Sequence, residues 1–227
     1  MKPRFFADTR DLFKYDLVLH LMEEVPDLRH FLFVPMLTED DGKEGGYHDL
    51  SKARAGYLNK ELYHFLEHCH AEKVRDVNRI RSWFAGRGIE TTVVDVPFTH
   101  RGRNRFFENL ATGVRPSSLI LLDPDNGLEV GHPDEKHLLF SELMAVLDAM
   151  EEGSIVMVFQ YYPRVDHAKY RAGREAEISR RTGVRPAWIT DNQVIFYVLA
   201  KKEQVMDRVS GVLRAYASRY PGITVGS

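Results

Sequence analysis

Ser118-Leu119-Ile120-Leu121-Leu122-Asp123-Pro124-Asp125-Asn126-Gly127-Leu128-Glu129 is the segment of this chain that decides its fold. Its first five residues form a short, nearly continuous apolar run, which is typical of a strand buried on both faces of a parallel sheet. The residues that follow, 123–129, include three carboxylate side chains and one amide side chain. Asn126-Gly127 favours a turn with positive φ, and Pro124 stiffens the exit from the strand. The pattern predicts a buried strand that ends in a rigid polar loop.

Similar strands recur along the chain and alternate with helices. Apolar and β-branched runs predict strands at 31–37, 91–96 and 155–159, and a strand pair at 187–190 and 194–199. Apolar residues at mostly helical spacing predict helices at 5–24, 52–88 (two helices), 101–110, 135–150, 165–181 and 203–220. This alternation predicts one α/β domain over residues 1–227, with a Rossmann-like, mostly parallel sheet, helices on both faces and an antiparallel strand pair at one edge.

The composition narrows the class of protein. A net charge of −2 excludes a globally basic nucleic-acid-binding protein but not local basic patches. Cys69 is the single cysteine, so an intramolecular disulfide is excluded and a reducing compartment is indicated. Neither a signal peptide nor an apolar run of the roughly 20 residues that span a bilayer is present. We therefore expect a cytoplasmic protein without a membrane partner; the sequence does not predict its oligomeric state.

Two polar loops, 38–46 and 123–129, each follow a predicted buried strand. Ligands of doubly wound sheets bind beyond the carboxyl ends of the strands, so we expect both loops at one edge, around a common pocket. There Asp123 would lie at the mouth of its strand rather than within the core. Carboxylates at that position bind a hard cation or accept hydrogen bonds from an amine or a ribose. The alternative is a polar turn in which Asp123 caps the following helix.

The loop 38–46 contains Gly-x-x-Gly-Gly. Backbone amides freed by glycine can cradle a phosphate or a carboxylate, although the acidic residues of this loop oppose an anion unless a cation intervenes. A solvated loop is the alternative interpretation. The candidate cofactor-binding residues here are Thr38, Asp40, Asp41, Gly42, Gly45 and Gly46.

Two further segments provide candidate substrate-binding residues. Asp8 can cap the first helix, on which Arg10 and Lys14 share a face. These cations could hold a phosphate, or they could be ordinary surface charges. The strand at 155–159 runs into Gln160-Tyr161-Tyr162-Pro163-Arg164, where aromatic and cationic groups could clamp a nucleotide or close the core. We take Asp8, Arg10, Gln160, Tyr161 and Arg164 as candidates. The basic clusters at 100–105 and 171–185 are usually solvated faces but suffice for contacts with a nucleic-acid backbone.

The order of these signals resembles the bacterial large-subunit ribosomal RNA adenine amino-methyltransferases. Members of that family open with a His-Ala-Asp…Lys-His helix, to which Phe6-Ala7-Asp8 through Lys14-Tyr15 is similar. Their Asp-Pro-Pro-Tyr motif corresponds to Asp123-Pro124-Asp125-Asn126, so the second proline and the aromatic residue are replaced. The acidic residue and Gly-x-Gly of their cofactor loop are absent after Leu37. The string Leu122–Glu129 also resembles one in an uncharacterised bacterial family, which implies no activity.

The resemblance implies a methyltransferase-like enzyme that uses S-adenosylmethionine and acts on nucleic acid or a nucleotide. Asp123 would accept a hydrogen bond from the target amine, and Pro124 would supply a carbonyl. The family's aromatic residue, which stacks on a flipped base, is replaced by Asn126. We take Asp123, Pro124, Asp125, Asn126 and Lys14 as candidate catalytic residues.

Two other functions are compatible with the same residues. In the first, Asp123, Asp125 and Glu129, with Asp40 or Asp41 as a possible further ligand, would hold Mg²⁺ or Mn²⁺ in a divalent-metal-dependent nuclease or phosphodiesterase, where the ion polarises a phosphate and activates water. In the second, the chain would be a non-catalytic binding module that has kept the fold. One fold supports many reactions, so the fold alone does not choose between them.

Overall fold

A computed structural model describes residues 1–39 and 49–227 of the chain. Its strands are β1 (His30–Val34), β2 (Glu90–Val93), β3 (Ser118–Leu122), β4 (Gly127–Leu128), β5 (His137–Leu138), β6 (Ile155–Tyr161), β7 (Ala187–Thr190), β8 (Val194–Leu199) and β9 (Thr224–Gly226). Its α-helices are α1 (Thr9–Glu24), α2 (Lys60–Ala71), α3 (Arg79–Ala85), α4 (Arg103–Gly113), α5 (Phe140–Ala149), α6 (His167–Thr182) and α7 (Glu203–Ala217).

The main sheet has the strand order β2-β1-β3-β6-β8-β7-β9. The four strands β2, β1, β3 and β6 run parallel, with His30 opposite both Glu90 and Ser118. Strand β8 then pairs antiparallel with β6 and with β7. The predicted mixed α/β fold with a mostly parallel sheet is therefore confirmed. Strands β4 and β5 form a separate parallel pair.

Both faces of the sheet are covered because alternate strand residues point to opposite sides. On β1, Phe31 and Phe33 belong to one apolar cluster and Leu32 and Val34 to another. The first cluster is completed by residues of α1, α2, α3 and α7, and the second by residues of α4, α5 and α6. In the described residues, no helix is long and apolar enough to cross a membrane.

Several predicted elements have other bounds in the structure. The last helix ends at Ala217, and the chain turns at Gly222, whose φ is 83°, into β9. The predicted pair β7–β8 is therefore followed by a third strand, which pairs antiparallel with β7 and forms the edge. The helix expected from residue 135 begins only at Phe140, because His137 and Leu138 pair with the loop after β3.

The carboxyl ends of β1, β2, β3 and β6 lie at one edge of the sheet, since these strands are parallel. The segments that leave β1 and β2 stay together beyond the strands, through a bridge between Leu37 and Pro97. Thr38 lies beside the loop after β3, because its hydroxyl donates a hydrogen bond to the Asp125 carboxylate. The described part of the first loop and the second loop thus meet at this edge, as predicted.

Candidate functional site

A buried lysine between two carboxylates forms the centre of the site. Lys14 lies on α1 and places Nζ 2.6 Å from Oδ2 of Asp123 and 2.7 Å from Oδ1 of Asp11. All three side chains are at most 3 % exposed. The expectation that Asp123 lies outside the core is therefore wrong, because α1 packs over the end of β3 and covers it.

Burial and charge act in opposite directions on these groups. Burial alone would lower the pKa of Lys14, but the adjacent Asp11 and Asp123 carboxylates outweigh it and raise that pKa above its usual value. Burial raises the pKa of Asp11 and of Asp123, and Lys14 only partly offsets the rise because it is shared by both carboxylates. Lys14 is therefore firmly charged, while the two carboxylates hold a proton more readily than exposed ones.

A second group of acceptors holds an amine next to this triad. The amino group of Met1 lies 2.8 Å from Oδ1 of Asp125, 3.1 Å from the carbonyl oxygen of Met36 and 3.3 Å from that of Asp123. Asp125 is 11 % exposed on its side chain and also accepts the hydroxyl hydrogen of Thr38. One carboxylate and two carbonyls, all at strand ends, thus converge on a single nitrogen. We call these three acceptors the amine cradle.

The backbone around the two groups adopts conformations that are uncommon for residues other than glycine. Ala7 has φ 75° and Met36 has φ 43°. Ala7 in this conformation donates its N–H to Oδ2 of Asp11 at 2.8 Å, and Met36 directs its carbonyl to the amine. Left-handed backbone at non-glycine residues costs energy and occurs often at functional sites.

Arg10 and Tyr161 close one side of the pocket. The Arg10 guanidinium lies 4.4 Å from the centre of the Tyr161 ring and donates a hydrogen bond to the Tyr161 hydroxyl. Asp8 caps α1, since its carboxylate accepts the backbone N–H groups of Arg10 at 2.8 Å and Asp11 at 3.1 Å. Burial raises the pKa of Asp8 and that of Tyr161. Three candidate substrate-binding residues, Asp8, Arg10 and Tyr161, therefore do line one pocket with Asp123 and Lys14.

The other two candidates for substrate binding lie elsewhere. Gln160 is buried, and its side-chain amide is hydrogen-bonded within the protein. Its Oε1 accepts the N–H of Leu128 at 2.9 Å, and its Nε2 donates to the carbonyl of Asn126 at 3.1 Å. It therefore holds the loop after β3. Arg164 is exposed and does not line the pocket.

Among the predicted catalytic residues, Pro124 and Asp125 line the pocket with Asp123 and Lys14, whereas the exposed Asn126 does not. Of the predicted cofactor contacts, Thr38 reaches Asp125. The remaining ones, Asp40, Asp41, Gly42, Gly45 and Gly46, lie outside the described residues.

The three proposed metal ligands do not converge. Asp123 pairs with Lys14, and Asp125 with the Met1 amino group. Glu129 turns away to accept the N–H of Phe140 at 2.8 Å and to pair with Arg181 at 2.8 Å. Over residues 1–39 and 49–227, no group of three His, Cys, Asp or Glu side chains is arranged to hold a metal ion. The metal-site interpretation of Asp123, Asp125 and Glu129 is corrected accordingly, because each carboxylate already has its own cationic partner.

Several site residues were not predicted from the sequence. The spacing of Asp11 and Lys14, three residues apart on a helix, could have indicated the ion pair. No local signal indicates the Met36 carbonyl, since its role depends on a positive φ.

The space within the pocket is small. The cavity beside Lys14, Asp123 and Asp125 has a volume of about 40 Å³, enough for a few water molecules or one small functional group. A cofactor the size of S-adenosylmethionine needs a pocket of several hundred Å³. The three acceptors thus fit an amino group, while the body of a cofactor would have to lie outside this cavity.

Comparison with known proteins gives one distant structural similarity. No family model and no curated protein matches the chain. A solved structure from Thermobifida fusca YX, described as a "putative methyltransferase", is similar with a TM-score of 0.42 and 12 % identity, over 86 % of this chain and 82 % of that one. At this level the similarity carries no argument about function, which rests on the geometry of the site.

Proposed function

We propose that this chain is a methyltransferase-like enzyme that uses S-adenosylmethionine to methylate an amine of a nucleic acid or a nucleotide. The observation that carries the proposal is the amine cradle. It offers one carboxylate and two carbonyls to a nitrogen at the carboxyl edge of the sheet, and the amino group of Met1 stands in for the amine of a substrate.

The cradle has the chemistry that an amine nucleophile requires. A neutral amine has two N–H groups, so two of the three acceptors would hold it and orient its nitrogen, which is catalysis by positioning. A nitrogen that took up the methyl group would lose one proton, while the carbon–sulfur bond of the donor would break and its sulfur would leave as a neutral thioether. Asp125 is the cradle's carboxylate and accepts that proton, passing it to solvent. The roles differ from those inferred by resemblance, since Asp123 contributes its carbonyl while its carboxylate holds Lys14.

The buried triad is the support for this arrangement. Lys14 fixes the carboxylate of Asp123 and thereby fixes the backbone carbonyl of the same residue, which belongs to the cradle. Lys14 is thus a positioning residue. When bound, S-adenosylmethionine would supply an activated methyl group, and Thr38, on the segment that leaves β1, is the described residue of the predicted cofactor set that would contact it.

Calorimetric titration and methyl transfer together test the proposal. We expect saturable binding of S-adenosylmethionine, and transfer of labelled methyl groups to single-stranded RNA, single-stranded DNA or adenosine monophosphate. Asp125→Asn should leave cofactor binding within about twofold but reduce transfer at least 100-fold, since about 3 kcal/mol of proton-accepting and orienting interaction is lost. The exposed Glu135→Gln is the matched control and should be silent.

Absence of saturable S-adenosylmethionine binding by the unaltered protein would overturn the proposal. A non-catalytic module would then be favoured if adenosine monophosphate still bound and Asp125→Asn abolished that binding. Transfer that is unchanged in Asp125→Asn would remove the amine cradle from the mechanism.

A further inference from the structure

The amine cradle is filled by the chain itself. All three of its acceptors lie within hydrogen-bond distance of the Met1 amino group, and Met1 is 7 % exposed. The Met1 carbonyl accepts the N–H of Thr38 at 3.2 Å, and the Met1 side chain belongs to the same apolar cluster as residues of α1. A substrate amine therefore cannot enter the cradle unless Met1 leaves it.

The charged amino group fits the three acceptors better than a neutral amine does. An ammonium group has three N–H donors, so it can donate to the Asp125 carboxylate and to the carbonyls of Met36 and Asp123 at once. Its contact with Asp125 is charge-assisted, which makes it about twice as strong as a bond between neutral groups. The same contact occupies the carboxylate that accepts the proton of the substrate in the proposed function. Met1 thus blocks both the binding position and the proton acceptor.

The volume of the pocket gives a second reason why substrate and Met1 exclude each other. Met1, Lys2 and Phe5 line the cavity of about 40 Å³, opposite the side chains of Asp125 and Tyr161. This space holds one small functional group and is too small for a nucleobase. Withdrawal of residues 1–5 would remove three side chains from the lining and enlarge the pocket at the place where the amine must bind.

Residues 1–5 form a short segment that is attached at its two ends, and we call it the N-terminal strap. Met1 and Lys2 are buried at the site, whereas the turn Pro3–Phe5 is partly exposed. Beyond the strap, Phe6 and Ala7 are at most 2 % exposed and anchor the chain next to α1. The strap can therefore leave the site while its anchor and α1 stay in place.

We propose that the N-terminal strap is autoinhibitory: the Met1 ammonium fills the amine cradle in the resting chain, and substrate binds by displacing it. The inference rests on the proposed function for the identity of the competing amine, and it adds the regulation of that site. A competing internal group lowers the apparent affinity for substrate by the fraction of molecules in which it is withdrawn. Holding the amine away from the cradle should therefore strengthen binding.

A chain with Gly-Ser-Gly-Ser added before Met1 tests this expectation. The addition converts the ammonium into an uncharged amide with one N–H, attached to residues that the cavity cannot hold. Calorimetry with adenosine monophosphate and fluorescence anisotropy with a labelled 12-nucleotide single-stranded RNA measure affinity without methyl transfer. We expect at least one probe to bind about fivefold more tightly or better. The same four residues added after the exposed Ser227 are the matched control and should leave affinity unchanged, and circular dichroism verifies that both proteins are folded.

Chemical labelling of amines follows the strap in the unaltered chain. Acetylation by an N-hydroxysuccinimide ester, read by peptide mass spectrometry, should be at least tenfold slower at the Met1 amino group in the folded chain than in urea. A saturating concentration of either probe should raise the Met1 rate in the folded chain at least threefold, because displaced Met1 becomes accessible. The exposed Lys60 is the internal control, and its labelling rate should not respond to the probe.

Two results would overturn the inference. One is binding of both probes by the folded, N-terminally extended chain that is no tighter than binding by the unaltered chain, and absence of binding by both chains counts as this result. The other is a Met1 labelling rate that stays the same when a probe binds.

Failure of the strap and failure of the enzyme give different results. Release of Met1 by a probe in a chain that does not bind S-adenosylmethionine would support the strap and overturn the enzyme. Methyl transfer by the unaltered chain while Met1 remains protected would leave the proposed function standing and overturn the strap.

Discussion

Lys14 of α1 forms a buried ion pair with Asp123 at the end of β3, with 2.6 Å between Nζ and Oδ2, across 109 residues of sequence. The same lysine contacts Asp11, and the rings of Tyr15, Phe33 and Phe159 lie within 5.7 Å of its nitrogen. A charge in such an apolar environment is stable only while its partners remain. The triad therefore links the position of α1 to the geometry of the strand end.

Replacing Lys14 by Met should destabilise the fold by about 3–5 kcal/mol at pH 7, because two buried carboxylates would lose their cation. The loss should be smaller at pH 5. Burial raises the pKa of Asp11 and Asp123 in the folded protein, so the folded state binds more protons than the unfolded state, and stability falls as pH rises from the usual value near 3.8 through the raised one.

Urea unfolding of both proteins at pH 5 and pH 7 measures this effect, with the exposed Lys60→Met as the control. Adding Asp123→Asn to Lys14→Met should recover part of the lost stability, since one of the two unpaired carboxylates is removed. A Lys14→Met protein with equal stability at the two pH values would show that the carboxylates are not coupled to the lysine.

Much of the fold could be predicted from the sequence because its signals are local. The runs at 118–122, 187–190 and 194–199 coincide with β3, β7 and β8, since buried strands and tight turns have their own composition. Strand β9 could not be predicted in this way. It is three residues long and only partly buried, and its pairing with β7 depends on where the chain lies after it leaves α7.

The site could be located from the sequence, but the roles of its residues could not. The loop after β3 was found because parallel strands present their carboxyl ends at one edge. The burial of Asp123, by contrast, depends on the packing of α1. Likewise, Glu129 has the residue type of a metal ligand. Only the structure shows that its carboxylate pairs with Arg181 and accepts the first N–H group of α5.

Loss of the side-chain hydroxyl should affect the stability of the fold differently at Tyr15 and at Tyr216. Both are fully buried, but the Tyr15 hydroxyl has no partner among the described residues, whereas the Tyr216 hydroxyl donates to Oδ2 of Asp16 at 2.8 Å. Tyr15→Phe should therefore be neutral or stabilise by about 1 kcal/mol. Tyr216→Phe should destabilise by about 1.5–3 kcal/mol, since a bond to a charged acceptor is lost. Urea unfolding at pH 7 compares them, and a larger loss for Tyr15→Phe would contradict the expectation.

Gly127 should tolerate no side chain. Its φ is 95°, and a Cβ at this position would overlap the side-chain amide of Gln160. Gly127→Ala should therefore cost about 2–4 kcal/mol, from backbone strain and displacement of Gln160. Gly131→Ala, on the same loop with no described atom within 4 Å of its Cβ position, should change stability by less than about 0.5 kcal/mol. Thermal unfolding of the two variants decides the matter, and comparable melting temperatures would mean that the loop is not held by Gln160.

Arg103 should contribute to stability rather than to nucleic-acid binding, although its sequence neighbours are basic. It is 6 % exposed, lies 2.9 Å from Oε2 of Glu142 through Nη2, and also donates to backbone carbonyls of Asp134 and His137. The flat guanidinium makes these bonds at once, and a lysine cannot. Arg103→Lys should therefore cost about 2–3 kcal/mol.

The exposed Arg101 and Arg105 supply the comparison for Arg103, because they come from the same basic cluster without its burial. Their replacement by glutamine should leave urea unfolding within about 0.5 kcal/mol, as is usual for surface positions. Oligonucleotide anisotropy, measured at a temperature where every variant is folded, should find Arg103→Lys equal to the unaltered protein because its guanidinium points inward to Glu142. Weaker oligonucleotide binding by a folded Arg103→Lys variant would mean that Arg103 leaves Glu142 to contact a phosphate. The ion pair between Arg103 and Glu142 would then break on binding rather than serve as a fixed structural contact.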